Sequence, residues 1–203
     1  RCCSSAASDV YKRQVINSIT KFLAGHSDVT LGYVAARDPG LRTAIYDAAV
    51  TWGTTPSPFD CWLAERGLYT FDLRFEKAQA TAAALADALA GRDGIRQVIY
   101  PGRADHPHHN RAGTLFGGQF GNMLSFEIEG GRDEVNSFVM NAGGIPFAPT
   151  LGDVGCTLSH PASSSHRALT TEGRAALGIS EGYFRLSVGI EPPELVLAEL
   201  DAA

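Results

Sequence analysis

Short runs of apolar, β-branched and aromatic residues alternate with helical patterns along the chain. A strand is predicted over residues 122–129 (NMLSFEIE), and a helical pattern follows over 132–141. Closer to the C-terminus, a strand predicted over 183–188 precedes a helical pattern over 193–200. Strands that alternate with helices in this way indicate the α/β class.

The clearest helix start is the segment Ser-Pro-Phe-Asp at residues 57–60. The serine can cap a helix, the proline suits the first helical position, and the aspartate adds favourable charge to the first turn. The helical pattern meets Gly67, resumes after it and ends at Gly91, before a strand predicted over 95–100. We therefore place a domain boundary close to Gly91, which gives predicted domains of residues 15–91 and 92–203.

The composition is that of a globular protein and narrows the classes of function. The chain has 203 residues, of which 44% are hydrophobic, and a formal net charge of −5. Apolar content in this range predicts a packed core rather than disorder. The sequence has no basic stripe, which argues against a nucleic-acid partner. No apolar run approaches the roughly 18 residues of a membrane span, so we expect no membrane-spanning segment.

The first fourteen residues, RCCSSAASDVYKRQ, have no clear period and contain two of the four cysteines. They lack the charged and apolar regions of a secretory signal, and we interpret them as a foreign leader joined near Gln14; the alternative is a genuine surface segment. The other two cysteines, Cys61 and Cys156, are far apart and form no CxxC pattern. They predict free thiols in a reducing compartment, and hence a cytoplasmic protein, rather than a disulfide scaffold or a zinc site.

After this leader the chain enters at once with the apolar pair Val15-Ile16. We interpret the pair as the end of a buried strand that has no partner close by in the sequence. On this interpretation the chain is truncated at its N-terminus, and we expect it to be the C-terminal half of a longer polypeptide.

One lysine stands out in the run NSITKFLAGHSD at residues 17–28. Lys21 follows the hydroxyl residues Ser18 and Thr20 and precedes a Gly-His-Ser-Asp turn. A lysine that reacts with an aldehyde needs a free amine whose pKa is lowered by burial or nearby charge, and hydroxyl donors suit a phosphate. The alternative is an ordinary surface lysine that enters a loop.

Two other patterns contain residue types typical of sites but lack the sequence context that a site requires. The run His-Pro-His-His at residues 106–109 could be a metal cluster, but no further ligand at a suitable spacing supports it, so we interpret it as an exposed loop and predict no metal. The glycine-rich run at 117–121 leads into a strand and not into a helix, which argues against a phosphate-binding loop.

The run SITKF followed by GHSD, at residues 18–28, strongly resembles the lysine motif of the pyridoxal-phosphate (PLP) enzymes of cysteine and methionine metabolism, the transsulfuration family. Further segments match this family in order and spacing: SPFDCWLAERGLYTFDLRFEKAQA from Ser57, GNMLSFEIEGG from Gly121, HPASSSH from His160 and RAALGISEGYFRLSVGIE from Arg174. The resemblance covers the chain from Val15 onward. It implies the C-terminal part of a fold-type I PLP-dependent transferase: the end of the large cofactor domain and the small C-terminal domain.

The resemblance also implies roles for particular residues. Lys21 would link covalently to PLP and later move protons at the substrate α- and β-carbons, while Ser18 and Thr20 would donate hydrogen bonds to the cofactor phosphate. Arg185 would bind the substrate α-carboxylate, and Thr150 occupies the place of a family serine beside that carboxylate. A rigid guanidinium suits a carboxylate, and threonine keeps the hydroxyl of serine with fewer rotamers.

The chain departs from the family pattern at Pro149, where enzymes that act at the γ-carbon often carry a glutamate. This departure leaves the exact reaction open. His160 and His166 match a family motif, and we interpret both as structural residues of a turn.

The family implies a carbon–sulfur lyase or transferase that acts on cystathionine, homocysteine or methionine, or O-acylhomoserine. Its binding partner would be a small amino-acid substrate. The family also implies a homo-oligomer, a dimer or a tetramer. A narrower alternative is an O-acylhomoserine sulfhydrylase. An alternative from another class is a catalytically silent fragment. This alternative arises because three cofactor-binding features of the family lie upstream of the lysine: the aromatic residue that stacks on the ring, the aspartate that pairs with the ring nitrogen, and the phosphate loop.

Overall fold

The computed structural model describes residues 14–203, which form two units: one ends at Phe71 and the other runs from Asp72 to Ala203. Apart from Gln14, the predicted foreign leader lies outside the described residues. The two units do not divide where the sequence places its boundary, because the long helix before Gly91 groups with the second unit. The predicted domains, 15–91 and 92–203, stay predictions.

A pair of antiparallel strands begins the first unit. β1 (Gln14–Ser18) pairs with β2 (Gly32–Ala36), and the register places Ser18 opposite Gly32. The prediction that Val15-Ile16 lacks a nearby strand partner is therefore wrong. The loop between the two strands holds the lysine motif, so the pairing of β1 with β2 fixes both ends of that motif.

Two helices follow in the first unit, α1 (Pro39–Trp52) and α2 (Pro58–Leu68). A side-chain oxygen of Asp38 caps α1 by accepting a hydrogen bond from the N–H of Leu41 at 2.7 Å. Ser57 caps α2 as predicted, because its hydroxyl oxygen accepts a hydrogen bond from the backbone N–H of Asp60 at 3.1 Å. In both helices a proline follows the cap, where its missing N–H costs nothing.

The second unit is organised around a four-stranded sheet in which every strand pair is antiparallel, in the order β3-β4-β6-β5. Its strands are β3 (Ile95–Ile99), β4 (Met123–Ile128), β5 (Thr157–Ser159) and β6 (Tyr183–Ser187). Three of them lie inside predicted strand runs, whereas β5 is not predicted. Helices and strands thus mix as the predicted α/β class requires, with antiparallel pairing in both sheets.

Five helices complete the described residues: α3 (Phe71–Leu89), α4 (His109–Phe116), α5 (Arg132–Asn141), α6 (Thr171–Ala175) and α7 (Pro193–Asp201). α5 has the predicted bounds. α4 begins within the histidine-rich run that the sequence predicts as a loop, and that part of the prediction is wrong. Within residues 14–203, no helix is both long enough and apolar enough to cross a membrane.

One face of the four-stranded sheet forms the hydrophobic core of the second unit. Successive residues of β6 alternate between the faces, and Phe184 and Leu186 are fully buried on the core side. The ring of Phe184 lies 5.6 Å from that of Phe126 on β4 and 4.9 Å from that of Phe138 on α5. Helices α3 and α7 cover the same core with buried leucines. Arg185 is consequently on the opposite face of β6.

His160 has the structural role that the sequence predicts for it. Its ring is 1% exposed, contacts the ring of Phe184 and bonds through Nε2 to the carbonyl oxygen of Glu181 at 2.7 Å. Because a carbonyl oxygen only accepts, Nε2 carries the hydrogen, and Nδ1 of the neutral ring accepts from the Ser163 hydroxyl at 2.8 Å. Burial lowers the pKa of His160 below its ordinary value of 6.5. The positive charges of Arg132 and Arg174, which lie near Glu181, lower it further.

The low pKa of His160 predicts destabilisation by mild acid. Below about pH 6.5 the unfolded chain takes up a proton that the folded ring resists, so the free energy of unfolding falls as pH drops. We expect a His160→Gln variant to lose part of this fall, measured by denaturant unfolding between pH 7.5 and pH 5. His166→Gln, at a half-exposed ring, is the matched control. An equal fall in all three proteins would contradict the prediction.

Candidate active site

The lysine motif forms a tight turn between β1 and β2. Lys21 is half-buried at the centre of this turn, and its carbonyl oxygen accepts a hydrogen bond from the N–H of Gly25 at 2.9 Å. The N–H of Ala24 donates to the carbonyl oxygen of Ile19 at 2.9 Å in the same way. Two overlapping backbone bonds of this kind hold the main chain around the lysine in one conformation, which is what a positioned amine requires.

The hydroxyl of Thr20 closes the turn onto the residue that precedes β2. Its oxygen accepts a hydrogen bond from the N–H of Leu31 at 2.8 Å, and its hydrogen is donated to the carbonyl oxygen of the same residue at 3.1 Å. A hydroxyl has a single hydrogen, so a bond from Thr20 to a cofactor phosphate would replace the bond to Leu31. Ser18 is half-buried at the end of β1, and one residue, Ile19, separates it from Thr20 in the sequence. The phosphate-binding roles of Ser18 and Thr20 stay predictions.

A close contact between backbones holds the turn against α2. Ala24 is 1% exposed, and a Cβ atom on Gly67 of α2 would lie 2.5 Å from the carbonyl oxygen of Ala24. Only glycine permits this approach. Four residues after Gly67, the ring of Phe71 meets the ring of Phe22 edge to face, with centroids 6.3 Å apart. The position of the lysine therefore depends on a glycine in a neighbouring helix.

Arg185 lies at the middle of β6, on the face away from the hydrophobic core. Its partners in the register are Ser125 on β4 and Ser159 on β5, so two small hydroxyl residues flank the guanidinium on this face. The Nε atom of Arg185 is buried and has no hydrogen-bond partner among residues 14–203. A buried N–H without a partner is costly, and a bound carboxylate is a ligand that would satisfy it.

Thr150 belongs to a segment that the same face of the sheet holds in place. Its carbonyl oxygen accepts a hydrogen bond from the Thr157 hydroxyl at 3.4 Å, and the N–H of Gly152 donates to the Ser187 hydroxyl oxygen at 2.9 Å. Thr157 and Ser187 are paired across β5 and β6, two pairs along from Ser159 and Arg185 and therefore on the same face of the sheet. The sheet thus places the backbone of the Thr150 segment beside the face that carries Arg185.

The predicted site residues divide between the two units. Ser18, Thr20 and Lys21 belong to the first unit, at the end of β1 and in the turn after it, whereas Thr150 and Arg185 belong to the second unit, Thr150 in a loop and Arg185 on β6. The roles predicted for these five residues stay predictions.

Several residues that hold these groups are not predicted from the sequence. The serines beside Arg185 depend on strand register, and the sequence carries no signal for register between distant strands. Gly67 is different, because a glycine inside a helical pattern costs about 1 kcal/mol relative to alanine and so stands out in the sequence. Among the described residues, no group of three His, Cys, Asp or Glu side chains is placed to hold a metal ion.

The whole of the described chain matches one protein family. The match is to the model described as Cys/Met metabolism PLP-dependent enzyme and covers residues 11–203. The chain belongs to this family of pyridoxal-phosphate-dependent enzymes, as its motifs predict.

Relatives and solved structures agree with this assignment. The chain is 42% identical over 177 residues to cystathionine β-lyase MetC of Bacillus subtilis, a match that covers 87% of this chain and 45% of that protein. It is 36% identical over 186 residues to O-succinylhomoserine sulfhydrylase of Pseudomonas aeruginosa, which covers 92% of this chain and 46% of that protein. The structure of cystathionine γ-synthase from Xanthomonas oryzae pv. oryzae in complex with cystathionine is 44% identical, with a TM-score of 0.85 over 96% of this chain and 50% of that one.

These comparisons confirm the predicted fold, the C-terminal part of a fold-type I PLP-dependent transferase. The chain spans about half the length of the relatives it matches. The three proteins named above carry out different reactions on related compounds, so likeness alone does not choose among those reactions.

The contact between Gly67 and Ala24 predicts a specific effect on the lysine turn. A Gly67→Ala variant would force the two backbones apart, and overpacking of this kind costs about 1–3 kcal/mol, more than the gain in helix propensity of about 1 kcal/mol. We expect lower stability in denaturant unfolding and faster hydrogen exchange at the N–H of Gly25, which bonds to Lys21.

The matched control is Gly91→Ala, because a Cβ atom on Gly91 would meet no atom within 4 Å. We expect this variant to change stability by less than about 0.5 kcal/mol. Exchange at Gly25 as slow in Gly67→Ala as in the unchanged protein would show that the contact does not hold the turn.

Proposed function

We propose that the protein that carries this chain is a PLP-dependent enzyme that eliminates or replaces a sulfur-linked or acyl-linked substituent of a small amino acid. The observation that most supports the proposal is Arg185, a guanidinium with a buried, unpartnered Nε among the described residues, flanked by two serines. An α-carboxylate is the ligand that this arrangement suits. Membership of the family supports the cofactor.

The residues of the lysine turn fit PLP. When bound, PLP supplies an aldehyde to which a lysine amine can link and a ring that withdraws electrons from the substrate α-carbon. The amine of Lys21 belongs to a turn whose backbone is fixed by hydrogen bonds and by packing on Gly67. Hydroxyl groups are donors that suit a phosphate; Ser18 carries one, and Thr20 would offer its own by giving up the bond to the carbonyl oxygen of Leu31.

Each of these residues then has a separate task. Lys21 anchors the cofactor and, once its amine is released, holds or moves a proton at the substrate α-carbon as a general base. Arg185 binds the substrate α-carboxylate and so orients the substrate. Thr150 offers its hydroxyl to the same carboxylate from a segment held beside the Arg185 face.

The exact reaction is a narrower part of the proposal. The relatives include a β-lyase, a γ-synthase and a sulfhydrylase, so elimination and replacement both remain open, and an O-acylhomoserine sulfhydrylase is the second candidate. Pro149 favours neither of them. Turnover of L-cystathionine compared with that of O-acetyl- or O-succinylhomoserine plus sulfide would distinguish the two candidates.

We propose a homo-oligomer, dimer or tetramer, as the assembly. Helix α2 exposes large apolar side chains to solvent, including Phe59 and Trp62, whose rings stack with centroids 5.9 Å apart, and Tyr69 follows the helix at 77% exposure. Large exposed aromatic groups on one helix favour a protein interface.

The cytoplasm is our proposed compartment. Cys61 is exposed and Cys156 is buried, and both are free thiols. Thiols that stay unpaired are typical of a reducing compartment.

Lys21 is expected to carry the cofactor. The given sequence has three lysines, Lys12, Lys21 and Lys77, which peptide mapping can tell apart. After borohydride reduction of the PLP-loaded protein, we expect peptide mapping to find the added cofactor mass on the peptide that contains Lys21. Lys21→Ala should abolish this label, whereas Lys77→Ala should retain it. A label on either of the other lysines would overturn the assignment.

Arg185 is expected to recognise the carboxylate. Titration calorimetry of the PLP-loaded protein would compare L-methionine with 3-(methylthio)propylamine, which lacks the carboxylate. Arg185→Gln should weaken L-methionine binding at least about 30-fold, because loss of one partner of a buried charge pair costs about 2–5 kcal/mol. Binding of the amine should not change.

The control is Arg96→Gln, because Arg96 on β3 of the same sheet is paired with Glu127 at 2.8 Å. We expect this variant to bind both compounds as the unchanged protein does. If Arg185→Gln leaves L-methionine binding intact, Arg185 has another role and the proposed function loses its main support.

A further inference from the structure

A carboxylate in the second unit bonds twice to one residue of the loop that follows Thr150. The Oε1 atom of Glu191 accepts a hydrogen bond from the N–H of Cys156 at 2.6 Å, and its Oε2 atom accepts from the Cys156 thiol at 3.2 Å. The thiol in turn accepts a bond from the N–H of Gly189 at 3.2 Å. Three hydrogen bonds thus join Cys156 to the chain just beyond β6.

The thiol is suited to this arrangement. Cys156 is 2% exposed, and burial raises its pKa to about 12. It therefore keeps its hydrogen at any physiological pH and remains able to donate to Glu191. A thiol in this state is a poor nucleophile, so its hydrogen bonds are the property that matters here.

The two segments also approach closely through their backbones. The N–H of Ile190 donates to the carbonyl oxygen of Val154 at 2.8 Å. A Cβ atom on Gly189 would overlap that same carbonyl oxygen, so only glycine fits. On its other side, the carbonyl oxygen of Glu191 accepts from the Thr81 hydroxyl of α3 at 3.3 Å. Glu191 thus ties the loop after Thr150 to both the end of β6 and α3.

The loop that these bonds fix comes directly after Thr150 in the sequence. Gly152 bonds to Ser187 on β6, and Cys156 bonds to Glu191 four residues after Ser187. The ends of the loop from 152 to 156 are therefore fixed to one stretch of chain, which also contains Arg185. A shift of the loop at Cys156 would be transmitted to Thr150 over a few residues.

We propose that Glu191 is a positioning residue for substrate binding: its carboxylate, through Cys156, holds the Thr150 segment at the distance from Arg185 at which both can bind one α-carboxylate. This inference rests on the proposed function. Glu191 itself bonds to the loop and to α3, and it is assigned no contact with substrate or cofactor.

The test uses Glu191→Gln in the PLP-loaded protein, with the calorimetric comparison of L-methionine and 3-(methylthio)propylamine. The amide nitrogen of glutamine cannot accept a hydrogen bond, so one of the two bonds to Cys156 is lost. We expect L-methionine to bind roughly tenfold more weakly, the size of effect given by one hydrogen bond to a charged group. Binding of the amine should be unchanged.

Glu199→Gln is the matched control. Glu199 on α7 also accepts a hydrogen bond from the N–H of a loop residue, Gly144, at 2.9 Å, but that loop residue lies before the Thr150 segment. We expect Glu199→Gln to lower thermal stability by a similar amount without weakening L-methionine. A second variant, Cys156→Ala, removes both thiol bonds, the one to Glu191 and the one from Gly189, but keeps the backbone bond to Glu191. It should weaken L-methionine a few-fold, with Cys156→Ser restoring it.

Three results would overturn the inference. Glu191→Gln could leave L-methionine binding unchanged, it could weaken the amine equally, or Glu199→Gln could weaken L-methionine to the same extent. The Arg185→Gln variant separates this failure from failure of the proposed function. If Arg185→Gln weakens L-methionine while Glu191→Gln does not, only the positioning role is wrong.

Discussion

The alternation of side chains along β6 is the constraint on which the second unit depends. Because successive residues of a strand face opposite sides, burial of Phe184 and Leu186 in the core fixes Arg185 on the other face. A slip of one residue would place the guanidinium among the phenylalanine rings, where an unpaired charge costs several kcal/mol. The position of Arg185 is thus set by the apolar residues beside it, and its buried Nε has no hydrogen-bond partner among the described residues.

What could be predicted from the sequence is what local chemistry decides. The cap at Ser57 and the bounds of α5 follow from residues within a few positions of one another. Elements that carry no clear local signal could not be predicted. The three residues of β5 are too few to show a period, and α4 begins without a side-chain cap. The strand partner of Val15-Ile16 was missed for the same reason, since pairing is decided across a loop.

The candidate site repeats this division. Lys21 could be named because its hydroxyl neighbours point to amine chemistry, and Arg185 because the segment that contains it resembles a segment of the family. The groups that hold them could not, because they act through backbone atoms: the carbonyl of Leu31 on Thr20, and the carbonyl of Ala24 against Gly67. Such contacts leave no trace in residue type except where a side chain must be absent.

The loop after Thr150 shows how one fold can support several reactions. Its backbone is fixed by the bonds from the N–H groups of Gly152 and Cys156 to Ser187 and Glu191 and by the close approach at Gly189, and none of these contacts involves the side chains at positions 149 and 150. Side chains at positions 149 and 150 can therefore change while the loop stays in place. A proline at 149 has no N–H and a fixed φ, and a β-branched residue at 150 has few rotamers, so both reduce the freedom of the group next to Arg185. Because relatives that share this fold differ in the reaction they catalyse, we expect these two side chains, and not the backbone that carries them, to bear on the choice of reaction.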